Sequence, residues 1–147
     1  MLYIGIDPGK SGALAILDEQ GAVRAVPFEE LRYLNELTAA AEHRCFACVE
    51  KVGAMPGQGV TSMFTFGHNL GWIEGVLRAL AVPYQLVPPR TWKKEFSLNG
   101  SKEASVSVCR RLFPALDLLP TPRCRRPSDG MAEAALMAEY ARRHFHE

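Results

Sequence analysis

Four acidic residues stand at places in the sequence where a charge is costly to leave unpaired. Asp7 follows one apolar, strand-like run, and Glu50 closes another. A carboxylate in such surroundings is costly to bury unless it is paired or bound to a metal ion. Asp129 and Glu133 lie four residues apart in a predicted helix, so both occupy one face of that helix. The pattern predicts that these four carboxylates converge.

The chemistry that suits such a cluster is metal-assisted phosphodiester hydrolysis. Mg²⁺ prefers oxygen ligands, and two such ions about 4 Å apart clamp the attacking and leaving oxygens of a phosphodiester. The predicted metal ligands and catalytic acids are Asp7, Glu50, Asp129 and Glu133. They are expected to hold two Mg²⁺ ions per site, for which Mn²⁺ can substitute. Taken singly, Asp7 also suits a turn, Glu50 a strand end, and Asp129 the positive end of a helix dipole.

Charge is distributed unevenly along the chain, although the formal net charge is only +1. Residues 1–87 hold six Lys and Arg against nine Asp and Glu, and residues 88–126 hold nine against three. A basic segment between acidic ones is typical of a nucleic-acid contact surface, although a solvated basic helix face gives the same pattern. Because no base-reading motif accompanies the basic segment, contact with phosphates is the interpretation we favour.

Apolar periodicity and turn residues outline the elements that must position the acids. Tight turns near 8–12 and 18–21 join the first three strands, which predicts an antiparallel meander. The predicted strands cover 2–7, 13–17, 22–26, 45–49 and 84–87, and the predicted helices cover 29–43, 61–81, 101–113 and 129–144. The chain is therefore predicted to be an α/β protein.

Caps and breakers predict several of these boundaries. Thr61 or Ser62 is expected to cap the second helix, and Ser128 the last one. Pro88-Pro89 is expected to end the fifth strand. The segments 53–59 and 114–127 are predicted loops.

Length and composition exclude several classes of protein. A chain of 147 residues with 48% apolar residues suits a single domain, predicted to cover 1–147, and is too apolar for a disordered protein. No apolar run reaches the roughly 18 residues of a membrane-spanning helix, so no membrane partner is expected. The first residues lack the basic start of a secretory signal, and we expect a cytoplasmic protein in a bacterial or phage-infected cell.

The four cysteines predict no zinc site. Cys45 and Cys48 form a C-x-x-C pattern, but they lie in a predicted strand, where positions three apart point to opposite faces. Cys109 and Cys124 have no second pair to complete a site. Reduced cysteines in a cytosolic protein are the better interpretation.

Three stretches resemble the motifs of RuvC-type Holliday junction resolvases. The first is Ile-Gly-Ile-Asp-Pro-Gly-Lys-Ser-Gly at 4–12, the second is Val-Glu-Lys-Val at 49–52, and the third is Asp-Gly-Met-Ala-Glu-Ala-Ala-Leu at 129–136. The likeness covers most of the chain and is strongest to the short phage and prophage members of the family.

This resemblance implies an RNase H-like fold whose mixed five-stranded sheet has three antiparallel strands, then parallel strands, with flanking helices. It also implies a homodimer that binds branched DNA and nicks four-way junctions symmetrically in a Mg²⁺-dependent reaction. Lys102, and Lys93 or Lys94, match lysines close to the scissile phosphate, and we include Lys102 among the catalytic residues. The residues expected to contact DNA are Lys51, Arg90, Lys93, Lys94, Arg125 and Arg126.

The sequence departs from the family pattern in two places. The last two acids are four residues apart, whereas cellular resolvases usually space them three apart or replace the first with His. The aromatic wedge of the family has no counterpart at Gly53, and Met55 and Phe64 are the candidate replacements. The apolar stripe of the helix 61–81 is predicted either to form the dimer interface or to belong to the core of one chain.

Other functions fit the sequence less well. Gly9-Lys10-Ser11 resembles the end of a phosphate-binding Walker A loop, but Gly5 is one residue too close to it and a strand follows instead of a helix. A YqgF-like nuclease of the same fold acting on RNA is one alternative. A catalytically inactive module that binds DNA junctions is another.

Overall fold

The computed structural model describes residues 1–145, and the last two positions of the predicted domain 1–147, His146 and Glu147, lie outside the described residues. The strands are β1 (Leu2–Ile6), β2 (Ala13–Asp18), β3 (Val23–Pro27), β4 (Cys45–Glu50) and β5 (Tyr84–Val87). The helices are α1 (Glu30–Ala41), α2 (Val60–Ala79), α3 (Pro89–Glu95), α4 (Lys102–Leu112) and α5 (Asp129–His144).

The five strands form one mixed sheet in the order β3-β2-β1-β4-β5. The turn after β1 folds β2 back against it, and a second turn does the same for β3, so these three strands are antiparallel. β4 and β5 each follow a helix that crosses the sheet, and both therefore run parallel to their neighbours. The predicted α/β fold, with three antiparallel strands followed by parallel ones, is confirmed.

The sheet separates two apolar cores. One face packs against α3, α4 and α5, and the other packs against α1 and α2. The side chains of Cys48 and Cys45 lie in different cores, as expected for strand positions three apart. Three cysteines are free thiols buried in these cores: Cys45, Cys48 and Cys109.

Two glycines allow α5 to approach the sheet closely. A Cβ atom built on Gly5 in β1 would overlap the carbonyl oxygen of Ala134 in α5. A Cβ atom on Gly130 would overlap the carbonyl oxygen of Ser11 in the turn after β1. The start of α5 is therefore pressed against the end of β1, which is where Asp7 lies.

The helix α3 was not predicted. Pro88-Pro89 does end β5, but Pro89 also occupies the first turn of a helix, where its missing N–H is not needed. The helix is held in place by Trp92, which is fully buried in the core beneath α5. A short helix with one buried side chain lacks the apolar periodicity that sequence analysis detects.

The predicted caps had mixed outcomes. Ser128 caps α5 by accepting a hydrogen bond from the Met131 N–H at 3.1 Å, as predicted. The expected cap of α2 was wrong, because that helix starts at Val60 after Gly59 and no side chain caps it. Among the helices of residues 1–145, none has both the length and the apolar character needed to cross a bilayer.

Candidate active site

Asp7 lies in the tight turn that leaves β1. Its Oδ1 atom accepts a hydrogen bond from the Gly9 N–H at 3.0 Å, which fixes the carboxylate in the turn. A Cβ atom on Gly12 would overlap the Asp7 carbonyl oxygen, so the turn closes only because residue 12 is a glycine. Alternation along the strand directs Asp7 to the same face as Gly5, which is the face covered by α5.

Glu50 is the last residue of β4 and lies beside Asp7. The parallel register pairs Ile6 with Val49, so the next position of each strand carries one of the two acids. Glu50 is 9% exposed, and its Oε2 atom accepts a hydrogen bond from the Trp92 Nε1–H at 2.9 Å. Both acids therefore meet at the carboxyl ends of two neighbouring parallel strands, as their positions in the sequence predicted.

α5 supplies the other two acids. The Glu133 Oε1 atom lies 3.2 Å from the Lys93 Nζ atom and accepts a hydrogen bond from the Ser105 Oγ–H at 3.1 Å. Asp129 begins the helix and is more open to solvent, with its Oδ2 atom 3.9 Å from the Lys102 Nζ atom. Glu133 therefore lies deeper in the site than Asp129.

The electrostatics of the buried acids confirm that they are close neighbours. Burial, assisted by the charges of Glu133 and Asp129, raises the pKa of Asp7 to about 6 against the opposing effects of the Gly9 hydrogen bond and Lys93. Burial and then the Asp7 charge raise the pKa of Glu50 to about 7, whereas the Trp92 hydrogen bond opposes the shift. Asp7 and Glu50 are thus both harder to ionise than ordinary carboxyl groups, in part because other acids lie near them.

The oxygen donors of this cluster fit a hard divalent cation, which would offset their mutual repulsion. Across residues 1–145, however, no three His, Cys, Asp or Glu side chains are already arranged to hold a metal ion. The Lys93 ammonium group, paired with Glu133, supplies positive charge at this place. Asp7 is within electrostatic range of Glu50, Glu133 and Asp129, and the role of the four acids as metal ligands stays a prediction.

The predicted basic residues occupy different places around the cluster. Lys93 points into it, and Lys102 lies at its outer side with its side chain 79% exposed. Arg126 and Lys102 line a cavity of about 630 Å³ that reaches Asp129. The remaining residues predicted to contact DNA are exposed: Lys51, Arg90, Lys94 and Arg125.

Two residues of the site were missed by sequence analysis. Trp92 and Ser105 each hold one of the acids, Glu50 and Glu133 respectively. The available signal for Trp92 was a proline at a helix start followed by a large aromatic residue inside the basic segment. Ser105 carried no signal, because a serine in a predicted helix has many ordinary roles. Met55 and Phe64, the candidates for the missing wedge, are both exposed.

Comparison with known proteins finds solved structures with a similar fold. No protein-family model matches the sequence, and no curated protein matches it. A structure of Thermus thermophilus RuvC in complex with a Holliday junction substrate matches 98% of this chain and 97% of its own, with a TM-score of 0.57 and 17% identity. The fold is that of the RuvC-type resolvases.

Two further structures support the same assignment of the RuvC fold. Another structure of Thermus thermophilus RuvC matches 97% of this chain and 96% of its own, with a TM-score of 0.54 and 19% identity. The yeast mitochondrial Holliday junction resolvase matches 92% of this chain and 75% of its own, with a TM-score of 0.54 and 16% identity. The RNase H-like fold expected from the sequence motifs is confirmed.

Proposed function

We propose that this chain is a structure-selective endonuclease that resolves four-way DNA junctions by Mg²⁺-dependent, symmetrical hydrolysis of phosphodiesters. The observation that carries the proposal is the meeting of Asp7 and Glu50 at two parallel strand ends, facing Glu133 on α5. Three acids from three separate elements have no shared structural role, whereas a divalent cation would need all of them. The match to RuvC-type structures over nearly the whole chain supports DNA junctions as the substrate.

The residues of the site divide into holding and positioning roles. Asp7, Glu50, Asp129 and Glu133 would hold two Mg²⁺ ions, or Mn²⁺ in their place, and such ions supply Lewis-acid stabilisation of the attacking and leaving oxygens. Lys102, at the outer side of the cluster, neutralises charge on the phosphate that enters there. Lys93 does so from inside the cluster.

DNA binding is assigned to the exposed basic residues around the site. Side chains that contact phosphates select the shape of the DNA and not its sequence, and their affinity falls with added salt. Arg126 shares a cavity with Lys102 and Asp129, so DNA held there reaches the acids directly. The other residues of this surface are Lys51, Arg90, Lys94 and Arg125.

A homodimer supplies the second active site that two symmetrical cuts require. α2 offers the interface, because its outer face is open and combines glycines with the exposed apolar side chains of Val60 and Phe64. Phe64 is 75% exposed, and a Cβ atom on Gly67, Gly71 or Gly75 would meet no atom within 4 Å. Ile73 and Leu77 are buried in the chain's own core, so the predicted stripe divides between the two roles.

The test is cleavage of a four-way junction with fixed arms, compared with a linear duplex of the same sequence. We expect paired nicks in the junction arms with Mg²⁺ and none with EDTA. Asp7→Asn should reduce the rate at least about a hundredfold, since metal-assisted charge stabilisation contributes several kcal/mol to such reactions. Junction affinity should stay near that of the unaltered chain.

Glu42→Gln is the matched control, because it neutralises an exposed acid at the end of α1, before β4 begins, and should cleave normally. Cleavage of RNA in preference to DNA would indicate the YqgF-like alternative. Tight junction binding without cleavage in Mg²⁺ or Mn²⁺ would indicate an inactive binding module. Either result would contradict the proposal.

A further inference from the structure

The indole of Trp92 touches two parts of the acidic cluster at once. Its edge donates the Nε1–H hydrogen bond to the Glu50 Oε2 atom at 2.9 Å. Its face lies 5.2 Å from the Lys93 Nζ atom, which is within range of a cation–π interaction. Lys93 in turn pairs with Glu133 at 3.2 Å. One side chain thus connects an acid on β4 with an acid on α5.

The chemistry of the indole makes this contact directional. An indole N–H has one donor and no acceptor, so it engages a single carboxylate oxygen and leaves the Glu50 Oε1 atom available. Trp92 is fully buried among core residues beneath α5, so the ring has little freedom to turn. The orientation of the ring therefore fixes the orientation of the Glu50 carboxylate.

We propose that Trp92 is a positioning residue for two acids of the site, Glu50 through its N–H and Glu133 through Lys93 on its ring face. The inference rests on the proposed function, since it concerns the geometry in which the acids meet a metal ion. Groups that orient metal ligands typically change metal affinity or activity by about 10- to 100-fold when they are removed. A Trp92 that only filled the core would affect stability and leave the metal dependence unchanged.

The first test is cleavage across a Mg²⁺ titration by Trp92→Phe, with Trp72→Phe as the matched control. Phenylalanine keeps an aromatic face for Lys93 and removes the N–H, whereas Trp72 packs against Phe28 in the core on the other face of the sheet. We expect the Mg²⁺ concentration for half-maximal rate to rise about tenfold or more in Trp92→Phe only. A Mg²⁺ dependence within twofold of the control would overturn the inference.

The second test does not depend on cleavage or on the stability of Trp92→Phe. The chain has two tryptophans, so ¹⁵N-labelled Trp72→Phe retains only the indole N–H of Trp92. We expect the NMR signal of that N–H to shift on addition of Mg²⁺, and to lose this response in the additional variant Glu50→Gln. An indole signal that does not move at any Mg²⁺ concentration of the titration would overturn the inference. A signal that moves in a chain that cleaves no junction would leave the inference intact and refute the proposed function.

Discussion

The glycines on the two sides of the sheet have opposite surroundings. α5 covers one face of the sheet and α2 covers the other. On the α5 side, Gly5 and Gly130 lie where a single added carbon would overlap the backbone of a neighbour. On α2, Gly67, Gly71 and Gly75 face open space. A glycine inside a helix lowers helix stability by about 1 kcal/mol relative to alanine, and three of them on one face lack a structural role within a single chain.

The contrast separates the two functions proposed for the molecule, chemistry and assembly. Close contact between α5 and β1 fixes Glu133 relative to Asp7, because neither backbone can move without separating the two elements. The open face of α2 leaves room for a second backbone to approach. The α5 side therefore holds the proposed chemistry, and the α2 side is suited to assembly.

The largest effect is expected from the acids that α5 carries. Glu133 is the more enclosed of the two, with Lys93 and Ser105 as partners, whereas Asp129 is favoured at a helix start whatever its function. We expect Glu133→Gln to reduce single-turnover junction cleavage at least as much as Asp129→Asn, by about a hundredfold or more. Normal cleavage by Glu133→Gln beside an inactive Asp129→Asn would show that the site depends on Asp129 alone.

A second prediction tests the two sets of glycines directly. Gly5→Ala should lower the free energy of unfolding by about 3 kcal/mol, because the added carbon forces α5 away from β1. Gly71→Ala should raise it by about 1 kcal/mol through helix propensity alone. Urea denaturation at low protein concentration measures both. Equal effects of the two substitutions would mean that the close contact seen at Gly5 is not maintained in solution.

The third prediction concerns pH in the absence of divalent ions. The pKa of Glu50 is raised from 4.5 to about 7, so the folded chain binds a proton that the unfolded chain releases. The stability from this group is fully present below about pH 4.5 and is lost as the pH rises through about 7. The loss is on the order of 3 kcal/mol. Denaturation in EDTA at several pH values measures this loss. The free energy of unfolding should fall less steeply with pH in Glu50→Gln than in the unaltered chain. An equally steep fall in both would contradict the burial of this charge.

The smallest effect is expected on the side of the sheet that α1 and α2 cover. Tyr33 of α1 is fully buried, and its hydroxyl makes no hydrogen bond with any described residue. An unsatisfied buried hydroxyl is unfavourable, so Tyr33→Phe should raise the free energy of unfolding by about 1 kcal/mol. A loss of stability would mean that the hydroxyl has a partner in solution. Leu37→Ala is the control, because it truncates a buried side chain on the same helix. It should lower the free energy of unfolding whichever result Tyr33→Phe gives.

Sequence analysis predicted the elements whose signals are local. The alternation in β1 and the turn after it placed Asp7 at a strand end, and Ser128 marked the start of α5 correctly. The parallel pairing of β4 with β1 followed from the resemblance to the family and not from the apolar pattern itself. The convergence of Asp7 with Glu50 then depended on register, which the structure supplied.

Contacts between residues distant in the sequence could not be predicted in this way. The hydrogen bond from Trp92 to Glu50 spans 42 positions, and nothing in either neighbourhood specifies the other. The close approach of Gly5 to Ala134 is of the same kind. Such contacts depend on how α5 packs on the sheet, which is determined by the core as a whole and not by any single motif.

The cysteines have a practical consequence for measuring these effects. Burial raises the pKa of the Cys45, Cys48 and Cys109 thiols, which leaves little reactive thiolate at neutral pH. Cys124 is half-exposed and lies in the loop between α4 and α5, two residues from Arg126. A maleimide fluorophore should therefore attach selectively at Cys124 without removal of the other cysteines. The native chain thus carries its own labelling position beside the surface proposed to receive DNA.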